Sequence, residues 1–416
     1  MPHLPVPIVV LALVFILIAI RQVGTLRFEI WQVMLLGAIA VLLTKSIPLA
    51  AAGKAIDVDV LLFLFGMFVI GTALEESGYI SHLSYRLFKD APSMDSLVLR
   101  ILFFMGLASA LLMNDTLAII GTPLMLLLAK KHSINRKVLL LTLAFAITTG
   151  SVMSPIGNPQ NLLISMHGNL QNPFITFFKY LFVPTIINLL AAYWILKILY
   201  RKEFHGNKLQ HIHEPLKDRR LAILSKYSLV LVILLAALKT TLSLLHAGFD
   251  FNVTYIALIG CLPILIFSPK RSDIIKKVDW YTLVFFAAMF VLMKSVWMTG
   301  FFQSYAGSIT GSITSLHSVL GISVVLSQLI SNVPMVALYL PVLMHAGASP
   351  KVLAALAAGS TVAGNLLILG AASNIIIIQN AEKKSKETLT FLEFAKAGIP
   401  LTLINVTVYW FFLKIV

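Results

Sequence analysis

The sequence has few charged residues and almost no cysteine. Only 12% of its 416 residues are charged and Cys261 is the single cysteine, whereas a typical soluble domain is about 25% charged. One cysteine excludes an intrachain disulfide and a cysteine-rich metal site. The sequence also lacks a nucleotide-binding P-loop, a zinc-binding helix motif and a nucleophile elbow. We therefore expect neither an enzyme nor a pump that hydrolyses ATP in this chain, and a separate ATPase subunit is left open.

Apolar residues dominate what is present. They make up 59% of the chain and give a mean hydropathy of +0.93. No single soluble core could hide so much apolar surface, so the lipid bilayer must be part of the solvent. The net charge of +15 would suggest nucleic acid for a soluble protein. Here the collection of Lys and Arg in cytoplasmic loops accounts for it, and we expect no nucleic-acid partner.

Ten apolar runs are long enough to cross a membrane. The first of them is interpreted as a span because no basic residue precedes it and no cleavage pattern follows it. The runs lie near 5–20, 30–48, 59–80, 138–167, 174–200, 227–246, 253–268, 279–300, 352–380 and 390–416.

Two further apolar stretches, 98–130 and 316–347, do not fit a single crossing. A helix of about 32 residues would be about 48 Å long, but a bilayer core is about 30 Å thick. Each stretch has polar residues near its middle, Asn114-Asp115 in the first and Ser331-Asn332 in the second. We therefore predict two re-entrant helical hairpins with these residues at their tips, because such backbone is tolerated only within protein or beside a polar cavity.

Basic residues predict the orientation. With ten spans and two hairpins, the cytoplasmic segments hold 23 Lys and Arg and the external ones hold three. Seven of the 23 lie in the segment 201–226, which is expected to be a cytoplasmic linker. The positive-inside rule then places both termini outside a cell membrane, with the first hairpin opening inward and the second outward.

The second half of the sequence repeats the first. Segment 66–78 aligns with 288–300 at an offset of 222, Asn114 and Pro123 recur at an offset of 218, and the Gly-x-x-x-Asn of 157–161 recurs at an offset of 213. The predicted units are 1–200, the linker 201–226, and 227–416. Each unit holds five crossings and a hairpin. Because five is odd, the second unit must be inverted, as in many secondary transporters whose substrate lies at the repeat interface.

Two places in the first half carry the polar chemistry. An ionised carboxylate near mid-bilayer is costly, so Asp115 is expected to bind Na⁺ or carry a proton, or else to be paired for structural reasons.

The second place is the segment 150–161, where prolines and glycine must break the helix. Such a break exposes carbonyls that suit a cation and a helix N-terminus that suits an anion, although neighbouring side chains could also repair it. The first-half candidates are Asn114, Asp115, Thr116, Ser154, Gly157, Asn158, Gln160 and Asn161.

The matching segments of the second half lack both the acid and the prolines. Val333 stands at the position equivalent to Asp115. If there are two ion sites, the second is therefore neutral, and the first half is our expectation for ion coupling. The second-half candidates are Ser331, Asn332, Gly364, Asn365, Gly370, Ser373 and Asn374. A sodium ion would draw on Asn114, Asp115, Asn158, Asn332 and Asn374.

Four motifs resemble those of the ion transporter superfamily, which includes arsenite permeases, citrate–metal transporters, divalent anion:sodium symporters and one type of Na⁺/H⁺ antiporter. The motifs are NDTLAIIGTP, SNVPMVALYLP, GSVMSPIGNPQNLLI and GNLLILGAASNIIII. The resemblance implies a homodimer with a scaffold (the first three spans of each half) and a transport domain that moves like an elevator. It places substrate and coupling ions at the hairpin tips and broken helices. The tips depart from the serine-asparagine-threonine pattern of the dicarboxylate symporters, which counts against a bulky dicarboxylate.

The fold predicted is thus an all-α polytopic membrane protein. Its predicted function is secondary transport of a small inorganic anion or oxyanion, arsenite-like species included, coupled to H⁺ or Na⁺ and without another cofactor. A Na⁺/H⁺ antiporter that uses Asp115 is the alternative within transport. A channel or a membrane sensor is the alternative from another class.

Overall fold

The computed structural model is almost entirely helical, which confirms the predicted all-α membrane fold. It describes residues 5–20, 22–23, 26–27, 29–79, 82, 91–132, 134–205, 218–245, 251–301, 314–385 and 389–416. The strands in these ranges are two residues long each, Gln22–Val23 and Leu26–Arg27, which pair in antiparallel fashion between the first two helices.

The described part of the first half contains ten α-helices. They are α1 (Val6–Ile20), α2 (Ile30–Leu43), α3 (Leu49–Ala55), α4 (Val58–Ser77), α5 (Met94–Leu112), α6 (Asn114–His132), α7 (Arg136–Ser151), α8 (Pro159–His167), α9 (Pro173–Phe177) and α10 (Val183–Leu199). A π-helical turn, Phe178–Phe182, joins α9 to α10. Asparagine side chains cap α7, α8 and α9, and proline follows the cap of α8 and α9, where its missing N–H is not needed.

The described part of the second half contains nine α-helices. Its helices are α11 (Arg219–Leu244), α12 (Val253–Phe267), α13 (Arg271–Lys277), α14 (Trp280–Met298), α15 (Leu316–Ile330), α16 (Asn332–His345), α17 (Pro350–Leu366), α18 (Ala372–Ser385) and α19 (Phe391–Ile415). A 3₁₀ turn, Ile368–Gly370, separates α17 from α18.

The predicted linker 201–226 is described only at its two ends. Arg201–His205 forms a 3₁₀ turn, and α11 already begins at Arg219, inside the predicted linker. The remaining part, 206–217, lies outside the described residues, as do Arg86 and Lys89, two of the basic residues that we expect to be cytoplasmic.

Six helices of the described ranges are long and apolar enough to cross a membrane: Val58–Ser77, Met94–Leu112, Pro173–Leu199, Arg219–Leu242, Trp280–Met298 and Phe391–Ile415. The other predicted spans are shorter helices or are broken in the middle. The arms of the first hairpin, α5 and α6, each have 19 residues and are therefore about 28 Å long. Their length alone does not require re-entry, so that prediction depends on the polar tip and the flanking charge.

The two hairpin tips share one unusual backbone conformation. Met113 has φ 59° and ψ 137° between α5 and α6, and Ser331 has φ 70° and ψ 157° between α15 and α16. A residue with a side chain adopts such angles at a cost of about 1–3 kcal/mol, which usually marks a functional site. Met113 and Ser331 are separated by the same offset of 218 as the aligned asparagines that follow them, so the tips repeat each other in structure as well as in sequence.

Helix packing divides the protein into two groups. Helices α1, α2, α4, α11, α12 and α14 pack on one another, and α5, α6, α7, α8 and α10 pack with α15 to α19. Small residues let the helices approach closely within each group. A Cβ atom on Gly66 would lie 2.7 Å from the carbonyl oxygen of Ala257. A Cβ atom on Gly150 would overlap the carbonyl oxygen of Gly106.

We predict that Gly150→Ala destabilises the fold by about 1–3 kcal/mol, as overpacking of a tight interface does. The new methyl group would collide with the Gly106 backbone, which cannot yield as a flexible side chain would. The measurement is the melting temperature of detergent-purified protein. Gly321→Ala is the matched control, because Gly321 is also helical but has open space where its Cβ would lie. An unchanged melting temperature for Gly150→Ala would contradict the close packing of α5 on α7.

Candidate functional site

The tip of the first hairpin is docked on the first broken helix. The backbone N–H of Asn114 donates to the carbonyl oxygen of Gly157 at 3.1 Å. Gly157 lies in the irregular segment 152–158 between α7 and α8. A Cβ atom there would overlap the Ser151 carbonyl oxygen, so the turn requires glycine. Sequence reasoning placed both elements at the site, and the structure brings them into direct contact.

One side chain repairs most of this break. The amide nitrogen of Asn161 donates to the carbonyl oxygens of Ser151, Val152 and Ser154 at 3.1, 3.3 and 3.0 Å. Its backbone N–H in turn donates to the side-chain oxygen of Asn158, the N-cap of α8. Carbonyls freed by the break are thus satisfied within the protein, as backbone at membrane depth requires.

Thr361 of the second half completes the network around this break. Its hydroxyl oxygen accepts from the amide nitrogens of Asn158 at 3.2 Å and Gln160 at 3.3 Å. The same hydroxyl donates to the Asn161 side-chain oxygen at 3.4 Å. Sequence reasoning missed Thr361, yet it lies 213 residues after Thr148, the offset already found for the broken helices.

The second broken helix is held by three amide side chains. Asn374 donates its amide nitrogen to the Gly364 carbonyl oxygen at 2.6 Å, and Gln328 donates to that of Ala363 at 2.7 Å. Asn365 donates both to the Thr149 hydroxyl and to the side-chain oxygen of Asn405, each at 3.0 Å. Gln328, Thr149 and Asn405 were not expected at the site. A Cβ on Gly370 would lie 2.9 Å from the Gln328 side-chain oxygen, so this residue also contacts the break.

The side-chain amides that hold the second break leave their own oxygen atoms without hydrogen-bond partners. A backbone carbonyl can only accept, so the nitrogen ends of Asn374 and Gln328 must face Gly364 and Ala363. The opposite, oxygen ends have no hydrogen-bond partner. The buried, unpaired oxygens of the candidate residues belong to Asn114, Asn332, Asn365, Ser373 and Asn374, and Gln328 and Thr148 add two more. Leaving such acceptors buried and empty is costly, so they mark a place for a cation or for a hydrogen-bond donor.

The donor set suits a hard cation such as Na⁺ and not a transition metal. Hard cations take oxygen ligands, whereas imidazole and thiolate select the others. Within the ranges that the structure describes, no group of three or more His, Cys, Asp or Glu side chains is placed to hold a metal ion.

Asp115 and Thr116 lie at the boundary between the two helix groups. Thr116 is buried, and a Cβ on Gly71 of α4 would be 2.6 Å from its methyl carbon and 2.9 Å from its hydroxyl oxygen. Asp115 is partly buried in the first turn of α6. Its side chain has no hydrogen bond or ion pair with the described part of the chain, so its carboxylate is available to an ion or a proton.

Four helix N-termini belong to this region. The helices that start at the hairpin tips are α6 and α16, and those that start at the breaks are α8 and α18. They pack crosswise, α6 on α18 and α16 on α8, so each hairpin contacts the broken helix of the other half. The positive end of a helix dipole attracts anions, so the arrangement offers positive helix ends beside unpaired oxygens.

Comparison with known proteins agrees with this architecture. The family model described as "Citrate transporter" matches residues 12–350. The chain is 28% identical over 373 residues to the 46 kDa membrane protein of Mycobacterium leprae, with 84% of each chain covered. It is 27% identical over 435 residues to the silicon efflux transporter LSI3 of Oryza sativa subsp. japonica, with 89% of each covered.

A solved structure shares the fold. The YdaH transporter of Alcanivorax borkumensis superposes with a TM-score of 0.61 at 18% identity, over 98% of this chain and 96% of that one. Because the family model covers most of its length, the chain belongs to the citrate transporter family of membrane transporters.

Proposed function

We propose that this protein is a secondary active transporter that couples Na⁺ or H⁺ to the movement of a small inorganic anion or oxyanion. The observation that carries the proposal is the meeting of two opposite chemistries at one place. Unpaired buried oxygens suit a cation, and helix N-termini suit an anion. A bound cation would also offset the charge of the anion inside the bilayer, where an isolated charge is costly.

The cation is best supported at the hairpin tips and the second break. Of the five residues expected to bind sodium, Asn114, Asn332 and Asn374 keep an unpaired oxygen, and Asp115 keeps its carboxylate. Asn158 is less available, because its amide nitrogen is bonded to Ser151 and Thr361 and its oxygen caps α8.

The anion is expected to be small. No Lys or Arg occurs between 138 and 167 or between 352 and 382, so the broken helices offer a carboxylate no bidentate guanidinium partner. Citrate, with three carboxylates, would be a demanding ligand for such a site. A relative named as a silicon efflux transporter supports a small inorganic acid or its anion as cargo.

The proposed mechanism is an elevator with inverted repeats in a homodimer. The matching tip conformations of Met113 and Ser331 support a repeat. The two packing groups correspond to the scaffold and the transport domain that the family resemblance implies. Orientation follows from charge, with both termini outside and 201–226 in the cytoplasm.

Flux measurements in proteoliposomes test the function. We expect an imposed inward Na⁺ or proton gradient to drive uptake of arsenite or silicate. Uptake of the anion should in turn dissipate the cation gradient. Cation-driven proton movement that ignores every anion would instead identify a Na⁺/H⁺ antiporter. Net current without substrate counterflow would identify a channel, and no flux under any gradient would favour a sensor.

Asp115→Asn should abolish coupled flux while the protein still folds. The substitution keeps the shape of the side chain but removes the charge that would bind Na⁺ and the group that would carry a proton. Flux in proteoliposomes is compared with the melting temperature of the same preparation. Asp59→Asn is the control, since Asp59 is also an acid in the first turn of a helix, α4, but is not among the candidate residues at the tips and breaks. Wild-type coupled flux in Asp115→Asn would contradict the role given to this carboxylate.

Ser373→Ala should weaken Na⁺ binding without loss of stability. Its buried hydroxyl is unpaired, so its removal leaves no partner unsatisfied, while a bound cation would lose one oxygen ligand. A hydrogen bond to a charged group is worth about 1.5–3 kcal/mol, so we expect the half-maximal Na⁺ concentration to rise at least about tenfold.

The measurement for Ser373→Ala is the Na⁺ dependence of the melting temperature, with choline as the replacement ion. Ser228→Ala is its matched control, because Ser228 is equally buried and unpaired but belongs to α11. Equal Na⁺ responses of the two variants would remove Ser373 from the site.

A further inference from the structure

The last helix of each half carries the same short motif. Thr185-Ile-Ile-Asn188 in α10 and Thr402-Leu-Ile-Asn405 in α19 are separated by 217 residues, close to the other repeat offsets. All four polar side chains are at least 98% buried. The two helices pack on each other, and the Thr185 hydroxyl is 2.7 Å from the Tyr409 hydroxyl. The repeat therefore places a buried amide on each of two helices that meet in the interior.

The two amides differ in what they contact. Asn405 accepts a hydrogen bond from Asn365 of the second break. The amide of Asn188 is fully buried and lies beside the Tyr409 hydroxyl. Helix α19 also packs tightly on the break, since a Cβ on Gly398 would overlap the Asn365 carbonyl oxygen. Only the second-half member of the pair is thus joined to the ion-binding region by the contacts described.

The contact with Asn405 bears on which end of the Asn365 side-chain amide, oxygen or nitrogen, is left free for a ligand. An amide group has two hydrogens on nitrogen and acceptor positions on oxygen. Asn365 uses its nitrogen for Thr149 and Asn405, and its oxygen is left buried and unpaired. Thr149 alone cannot fix this choice, because a hydroxyl can donate as well as accept. The two amides must present opposite ends to each other. Asn405 presents its oxygen and leaves its own nitrogen unpaired, so Asn365 presents its nitrogen to Asn405 and keeps its oxygen for a ligand.

We propose that Asn405 is a specificity-determining residue that acts through Asn365, by holding the Asn365 amide with its oxygen available to a cation. The inference rests on the cation site of the proposed function. Turning the amide over would offer an NH₂ group, which repels a cation and favours an anion. Asn405 is a positioning residue and need not touch the ion itself.

The test is a double-mutant cycle on Na⁺ binding, measured as the Na⁺ dependence of the melting temperature of the full-length protein in choline-balanced buffer. Asn405→Leu should raise the half-maximal Na⁺ concentration up to about tenfold, the value of one net hydrogen bond. Asn365→Ala should raise it as well. The double variant should be no weaker than Asn365→Ala alone, because Asn405 has nothing left to orient. Additive effects would show that Asn405 acts independently of Asn365.

Asn188→Leu is the matched control. It removes the same, equally buried side chain from the same motif, and we expect the Na⁺ response to be unchanged. Its melting temperature without Na⁺ is measured beside that of Asn405→Leu, which separates a general loss of stability from a loss of Na⁺ binding. If Asn405→Leu does not fold, Asn405→Ser provides the same cycle with a smaller change in volume, because a serine hydroxyl can donate as well as accept and so no longer fixes the Asn365 amide. Equal Na⁺ responses of the Asn405 and Asn188 variants would overturn the inference, whereas a wild-type protein that ignores Na⁺ would overturn the proposed sodium site itself and with it the role given to Asn405.

Discussion

The rest of the structure depends on how broken backbone is satisfied inside a membrane. A helix interrupted at mid-bilayer leaves carbonyl and N–H groups that lipid cannot serve. In the first half Asn161 donates to three such carbonyls, and in the second half Asn374 and Gln328 donate to one each. Amide side chains suit this task because their donor and acceptor ends point in different directions. Each side-chain amide that donates its nitrogen to a free carbonyl therefore points its oxygen in another direction, where the oxygen can accept from or bind something else.

The two halves use this chemistry to different effect. Around the first break the Asn161 oxygen is taken up by Thr361, so the network closes on itself. Around the second break the oxygens of Asn365 and Asn374 stay unpaired. The acid and the prolines of the sequence point to the first half as the ion-coupling half. The pattern of unpaired oxygens supports a site to which the second half contributes most of the neutral ligands and the first half contributes a carboxylate.

Local sequence signals were sufficient to predict the hairpins and the broken helices, but not the residues that form hydrogen bonds with them. The hairpin tips and breaks were predictable, because polar residues, proline and glycine inside long apolar runs have few structural explanations. Thr361, Gln328 and Asn405 could not be found in this way, since each lies in an unbroken helical pattern and acts on backbone or side chains far away in sequence. The repeat offset was the remaining signal. It relates Thr361 to Thr148 and Asn405 to Asn188, yet it cannot tell which member of a pair makes the contact.

The position of Asp115 connects ion binding with movement. Its neighbour Thr116 packs against Gly71 of α4, which belongs to the other packing group, while Asn114 is bonded to the first break. The hairpin tip therefore touches both the site and the surface across which a transport domain would slide. An uncompensated carboxylate at that boundary would resist passage through a low-dielectric environment. A carboxylate neutralised by Na⁺ or a proton would not, so the group that we propose to bind the coupling ion would also prevent movement when the ion is absent.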